Sequence, residues 1–304
     1  MSRIFSFILT IGLLMFATPS AHAWGKYGHV TICEISYRLL TEPARARLKV
    51  LMAVNEEYTS FNRACLEEDA FPRVRSEEHF LNVPRDQVAI TDMSCGAASK
   101  CVLSAIQDDF GKLGDTSLDD ATRVGALIAL GHWVGDVHQP LHISFADDRG
   151  GNSVDKRGRC SADNLHSVWD NCIVEDGVFN MNAIERLLGW ARFTKAYRAA
   201  DRLIAELDPA SISDWQAAEI WEWADESYQL ARAPVTEYCV LKDNSCWYDA
   251  DREILAPGGE KRTIQMTQAY IDLQTPIAEE RMQRAGVRLA HLINLALDPD
   301  YAPE

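Results

Sequence analysis

The chain has 304 residues, 47% of them hydrophobic, with 45 acidic side chains against 30 basic ones and a net charge of −15. That is enough apolar material for one sizeable core. The acidic balance, taken alone, argues against a protein that grips polyphosphate through a lysine-rich face.

Residues 1–23 read MSRIFSFILTIGLLMFATPSAHA. A basic start at Arg3, an apolar run from Ile4 to Phe16 and a small-residue Ala-His-Ala end predict a secretory signal cleaved after Ala23. The run is too short to span a bilayer, and no later segment is apolar enough. The mature chain, 24–304, is expected to be soluble, secreted or periplasmic, with no membrane partner and a charge of −16 once Arg3 is lost. The absence of an Asn-x-Ser/Thr sequon favours a bacterial setting.

Helical periodicity then runs through 29–40, 42–54, 101–113, 119–138, 181–207, 212–232 and 262–274. Pro276 is expected in the first turn of a last helix ending near Leu297. Gly, Asn and Asp gather in 147–164, which predicts a long loop of the kind that often carries function. Strand signals are scarce, and no repeat or linker divides the chain. The expectation is a single all-α domain over 24–304, with long loops and disulfides.

All eight cysteines lie after residue 23. An even count in an exported chain favours disulfides. Short spacings point to Cys95–Cys101, Cys160–Cys172 and Cys239–Cys246, which leaves Cys33–Cys65. No C-x-x-C pair speaks for zinc-thiolate ligation.

The stretch GHWVGDVHQPLHISF, 131–145, packs three histidines and an aspartate into an apolar segment. His132 and Asp136 are four apart and project from one helix face. Pro140 should end that helix before His142. His166 and Asp170 repeat the four-residue spacing. Imidazole and carboxylate donors so arranged suit Zn²⁺. His138 falls on another face and is read as structural or as support for a ligand. Cleavage after Ala23 would free the Trp24 α-amine, which with its own carbonyl can close a five-membered chelate ring; His29 follows five residues on.

With these motifs the chain resembles the zinc-dependent, single-strand-specific nuclease family of fungal extracellular and plant bifunctional nucleases, whose helical fold is shared with bacterial zinc phospholipase C. The resemblance rests on W-G-x-x-G-H at 24, H-F-x-N at His79, H-x-x-G-D-x-x-Q-P-L-H at His132, and G-G-N followed by N-L-H-x-x-W-D. It implies three zinc ions per chain. One would sit on Asp69, His79, His132 and Asp136, a second on His142, His166 and Asp170. The third would take Trp24, His29 and Asp136. Asp69 would also orient the attacking water or take its proton. The family usually places an arginine three residues after that aspartate; here the position is Pro72, so either Arg73 substitutes or the transition-state charge rests more heavily on zinc. Phe80 would stack on a nucleobase, Asn82 would bond its edge, and Asn152 would line the same pocket.

The implied activity is hydrolysis of single-stranded DNA and RNA to 5′-phosphorylated products, with 3′-nucleotidase action, by a monomer. Three dications in one cleft would reconcile an acidic chain with an anionic substrate. The rival readings are a zinc phospholipase C, which should need a more apolar or cation-accepting mouth, and a non-catalytic helical binding protein with structural zinc.

Overall fold

Helices carry the chain in the computed structural model, which describes residues 24–303; the leader read over 1–23 lies outside the described residues. They are α1 (Gly25–Leu39), α2 (Glu42–Met52), α3 (Phe61–Ala64), α4 (Val102–Gly114) and α5 (Asp120–Val137). Next come α6 (Leu165–Ser167), which runs on as a π-helical segment Val168–Val178, α7 (Ala183–Leu187) and α8 (Gly189–Ala205). The last are α9 (Pro209–Ala217), α10 (Ile220–Arg232) and α11 (Gln268–Leu297). Among the described residues six short strands form three two-stranded pairs. β1 (Leu81–Val83) and β2 (Ile143–Phe145) are parallel, as are β3 (Val154–Gly158) and β6 (Arg262–Met266); β4 (Val240–Lys242) and β5 (Ser245–Trp247) are antiparallel. The all-α expectation holds.

Helix starts follow local chemistry. Thr41 accepts the Ala44 N–H ahead of α2, which carries Pro43 in its first turn, and Asp119 accepts the Thr122 N–H ahead of α5. From Ala126 to Val137 every residue of α5 is buried. A helix buried on all sides belongs at a domain centre, and α5 packs there against α1, α4 and α11. Its small residues set the spacing. A Cβ at Gly131 would lie 2.5 Å from Cys65 Sγ, so only glycine lets the Cys33–Cys65 disulfide rest on the helix.

Four disulfides join the pairs expected from spacing, and no free cysteine remains among the described residues.

The elements differ from the periodicity reading in four places. Residues 262–266 form a strand, because β3 inside the 147–164 loop offers them a partner in register Val154↔Arg262. The stretches 181–207 and 212–232 each break in two, at Leu188 and at Ala218–Glu219, where the backbone is extended. The last helix does not start at Pro276 but passes through it. An internal proline costs about 3 kcal/mol, yet Ile271, Ala278, Met282, Ala285 and Leu289 form one buried stripe across it. Burying that stripe outweighs one lost backbone bond.

Candidate active site

Five side chains from four separate segments meet beside α5. Its face carries His132 and Asp136; α1 brings His29, a short 3₁₀ turn after α3 brings Asp69, and a second such turn, Ser76–His79, brings His79. Asp136 is the centre. Its Oδ1 lies 3.2 Å from His29 Nε2, and its Oδ2 lies 3.0 Å from His79 Nδ1 and 3.4 Å from His132 Nε2. Asp69 Oδ1 is 3.9 Å from His79 Nδ1 and 3.8 Å from His132 Nε2. The His29 and His132 rings stack with centroids 4.0 Å apart. That approach needs Gly135, where a Cβ would lie 2.6 Å from His29 Nδ1.

A second cluster holds His142, His166 and Asp170, whose donor atoms all lie within 4.8 Å of one another. His142 ends the turn Pro140–His142, as the proline predicted. His166 is on α6 and Asp170 on its π-helical continuation, with 3.6 Å between His166 Nε2 and Asp170 Oδ2.

Backbone carbonyls fix the rings. His132 Nδ1 is 2.8 Å from the Cys65 carbonyl, His142 Nδ1 2.6 Å from that of His79, and His166 Nδ1 2.6 Å from that of Gly150. Each carbonyl can only accept, so each Nδ1 carries the proton and each Nε2 lone pair faces inward. Both oxygens of Asp136, Asp170 Oδ2 and His142 Nε2 are buried with no hydrogen-bond partner among the described residues. Such orphans cost about 1–3 kcal/mol each. Burial first, and the like charge of Asp69 next, push Asp136 well above the usual carboxylate range; burial does the same to Asp170. Burial pushes His142 well below the ordinary imidazole value and His166 to about 4. Neutral imidazoles with inward lone pairs, beside carboxylates that stay ionised only near positive charge, are a donor set for a divalent metal. Among the described residues three His/Asp groups could hold one: His29–His132–Asp136, Asp69–His79–His132 and His142–His166–Asp170. Trp24 heads the helix that carries His29; its side chain is fully buried, and its carbonyl accepts the Gly28 N–H at 3.1 Å.

A cleft of about 360 Å³ opens beside these groups, lined by Arg73, His79, Phe80, Asn82, His142 and Asn152 among others. Arg73 is ion-paired with Asp69. Phe80 is 37% exposed, so its ring is available at the cleft and is not consumed by the core. Asn82 is the middle residue of β1, and Asn152 is held by its Nδ2–H donating to the Arg149 carbonyl.

Sequence reasoning missed the groups that hold these in place. Gln139 donates from Nε2 to Asp170 Oδ1 at 2.7 Å while its Oε1 accepts the Leu141 N–H. It stands inside the histidine motif, where a buried amide between two ligands was a readable signal. Trp133 meets the His79 and His132 rings edge-on and donates to Asp109 Oδ2 at 2.8 Å. Nothing in the sequence ties Asp109 to position 133. A further guanidinium, Arg149, also lines the cleft. His138 stays apart from both clusters, between the Val134 carbonyl and Arg288.

Comparison with known proteins identifies the family. Endonuclease 2 of Arabidopsis thaliana is 28% identical over 313 residues, covering 94% of each chain. Endonuclease 1 of the same plant is 26% identical, covering 97% of this chain and 94% of its own. Nuclease S1 of Aspergillus oryzae is 24% identical, covering 90% and 92%. The model of the S1/P1 nuclease family matches residues 24–298, a span that takes in both His/Asp clusters and the cleft, so the chain belongs to that family and is a phosphodiester-cleaving hydrolase.

Proposed function

We propose that the protein is an exported endonuclease that cuts single-stranded DNA and RNA to 5′-phosphorylated products, with 3′-nucleotidase action, using three zinc ions per chain. The observation that carries this reading is the meeting of eight His and Asp side chains, scattered from 29 to 170, in two adjoining buried clusters beside one cleft. Asp69, His79, His132 and Asp136 would hold one ion, His142, His166 and Asp170 another. His29, Asp136 and the processed Trp24 amine and carbonyl would hold the third. When bound, zinc supplies Lewis acidity toward the phosphate and toward the attacking water.

The chain's own residues do the rest. Phe80 stacks on an unpaired base, a contact worth about 1–3 kcal/mol and tolerant of base identity. Asn82 and Asn152 offer amide donors and acceptors to the base edge. Arg73, which lines the cleft, would contact the scissile phosphate, and Asp69, whose carboxylate pairs with it, would accept the proton of the attacking water. A duplex is a poor substrate because its bases are already stacked and paired. Four disulfides support an oxidising compartment and hence export, and the protein is expected to act as a monomer.

The test is zinc content by mass spectrometry, with cleavage of one DNA sequence as single strand and as duplex, before and after chelation. Three zincs, a strong single-strand preference and loss of activity on chelation are expected. Activity that persists in zinc-free protein, or equal rates on both substrates, would end the reading.

A further inference from the structure

The loop between β2 and β3 places three consecutive residues in the left-handed backbone region: Arg149 at φ 55°, Gly150 at 64° and Gly151 at 80°. Glycine is needed at 150, where a Cβ would lie 2.5 Å from the Leu141 carbonyl oxygen and 3.3 Å from His166 Nδ1. Arg149 is the one member of this run with a side chain, in a conformation uncommon for any residue but glycine. Strained backbone at a site wall is an observation that asks for a functional reason.

The Arg149 side chain is exposed and lines the same cleft as Phe80, Asn82 and His142. Its backbone is anchored: the N–H donates to the Ala146 carbonyl, and its own carbonyl accepts from Asn152. Among the described residues no carboxylate or other acceptor holds its guanidinium, whereas Arg73 is tied to Asp69. A fixed stem therefore carries an uncommitted cation on the rim of the cleft, in a chain whose net charge is −15. The buried clusters on the floor account for one phosphate. A second cation on the solvent side fits a second phosphate, since a guanidinium meets phosphate oxygens through paired N–H donors.

We propose that Arg149 holds the phosphate adjoining the scissile one, so that the enzyme favours strands over isolated dinucleotides. This rests on the nuclease reading above. The contact would act on binding of longer strands and leave the chemistry at the cut linkage unchanged.

The experiment is a cycle of variant against substrate. Trinucleotides are prepared with native linkages or with one linkage replaced by an uncharged methylphosphonate, and cleavage is followed at the remaining phosphodiester. Neutralising the flanking linkage on one side should lower wild-type kcat/KM roughly five- to twentyfold, the range of a charge-assisted contact at a partly screened site. R149A should lose the same factor on the native trinucleotide and be indifferent to the methylphosphonate. R149K should keep part of the discrimination. The slope of log kcat/KM against log salt for single-stranded DNA should shrink by about 0.7 in R149A, the value for one single-strand phosphate contact. R149Q, which keeps a long side chain, serves as the second variant if alanine unsettles the turn, and the same indifference is expected.

Discrimination by R149A as strong as the wild type's, or an equal loss on both substrates, would overturn the assignment. Wild-type protein that cleaves neither trinucleotide would instead overturn the nuclease reading on which it rests.

Discussion

Replacing Gly135 with alanine disturbs the centre without altering a single donor. The added Cβ would sit 2.6 Å from His29 Nδ1 and 2.7 Å from its Cε1, against an ordinary separation of about 3.5–4.0 Å. The ring must retreat by about an ångström, because α1 is held between α5, α8 and α11. Metal–ligand distances tolerate only about 0.2 Å, so an ion held by His29 and Asp136, as proposed above, should be lost or bound more weakly. The fold should survive. Overpacking costs about 1–3 kcal/mol, and removing a helical glycine returns about 0.5–1 kcal/mol. A net loss near 1–2 kcal/mol lowers the melting temperature by a few degrees in a chain of this size. Zinc per chain, measured by mass spectrometry after dialysis, should fall by one, with activity falling at least tenfold. Gly125→Ala is the control, since nothing lies within 4 Å of its Cβ; it should keep all its metal. A Gly135→Ala protein with full zinc and wild-type rates would refute the reasoning.

Four further outcomes are expected. Phe80→Ala should raise KM for single-stranded DNA roughly tenfold, from the lost stacking, while leaving thermal stability nearly unchanged; a large drop in melting temperature would mean the ring serves the core. Removing the Cys33–Cys65 bridge by double serine substitution opens a loop of sequence separation 32, which should cost about 4 kcal/mol in chemical denaturation; a loss below about 1 kcal/mol would contradict this. Protein that keeps a peptide bond ahead of Trp24 should carry one zinc fewer than the processed form, and equal metal content would remove Trp24 from the ligands. Glu226 gives a pH signature: burial alone would raise its pKa, but the hydrogen bonds and charges of Arg288 and Arg281 bring it down to about 2. A depressed carboxylate stabilises fully above its unfolded value of about 4.5 and loses that contribution as pH falls toward 2, about 3 kcal/mol in all. Glu226→Gln should therefore flatten the stability profile across that window, and identical wild-type and variant profiles would rule the pair out as its source.

The members of the two His/Asp clusters were legible because imidazole and carboxylate side chains at ligand spacing stand out in an apolar segment. His132 and Asp136 share a helix face at any fold's expense, and Pro140 had to end that helix before His142. Cysteine spacing carried the disulfides for a similar reason, since short loops leave few partners within reach. Periodicity did less well wherever a neighbour decided the outcome. Residues 262–266 have helical spacing, yet β3 offered them a ladder, and Pro276 lies inside a helix because one apolar stripe continues past it.

What no local pattern contained was the meeting itself. His29, Asp69 and Asp136 come from different elements; the 3.2 Å between His29 and Asp136 and the 3.8 Å between Asp69 and His132 depend on Gly131 and Gly135, which let a disulfide and an imidazole close on α5. The same is true of Asp109 beneath Trp133 and of Arg149 on the cleft rim. Side-chain type and spacing determine which atoms can bind a cation or a base; only close packing of distant segments determines which of them share one site, because that is set by shape and burial across the whole core.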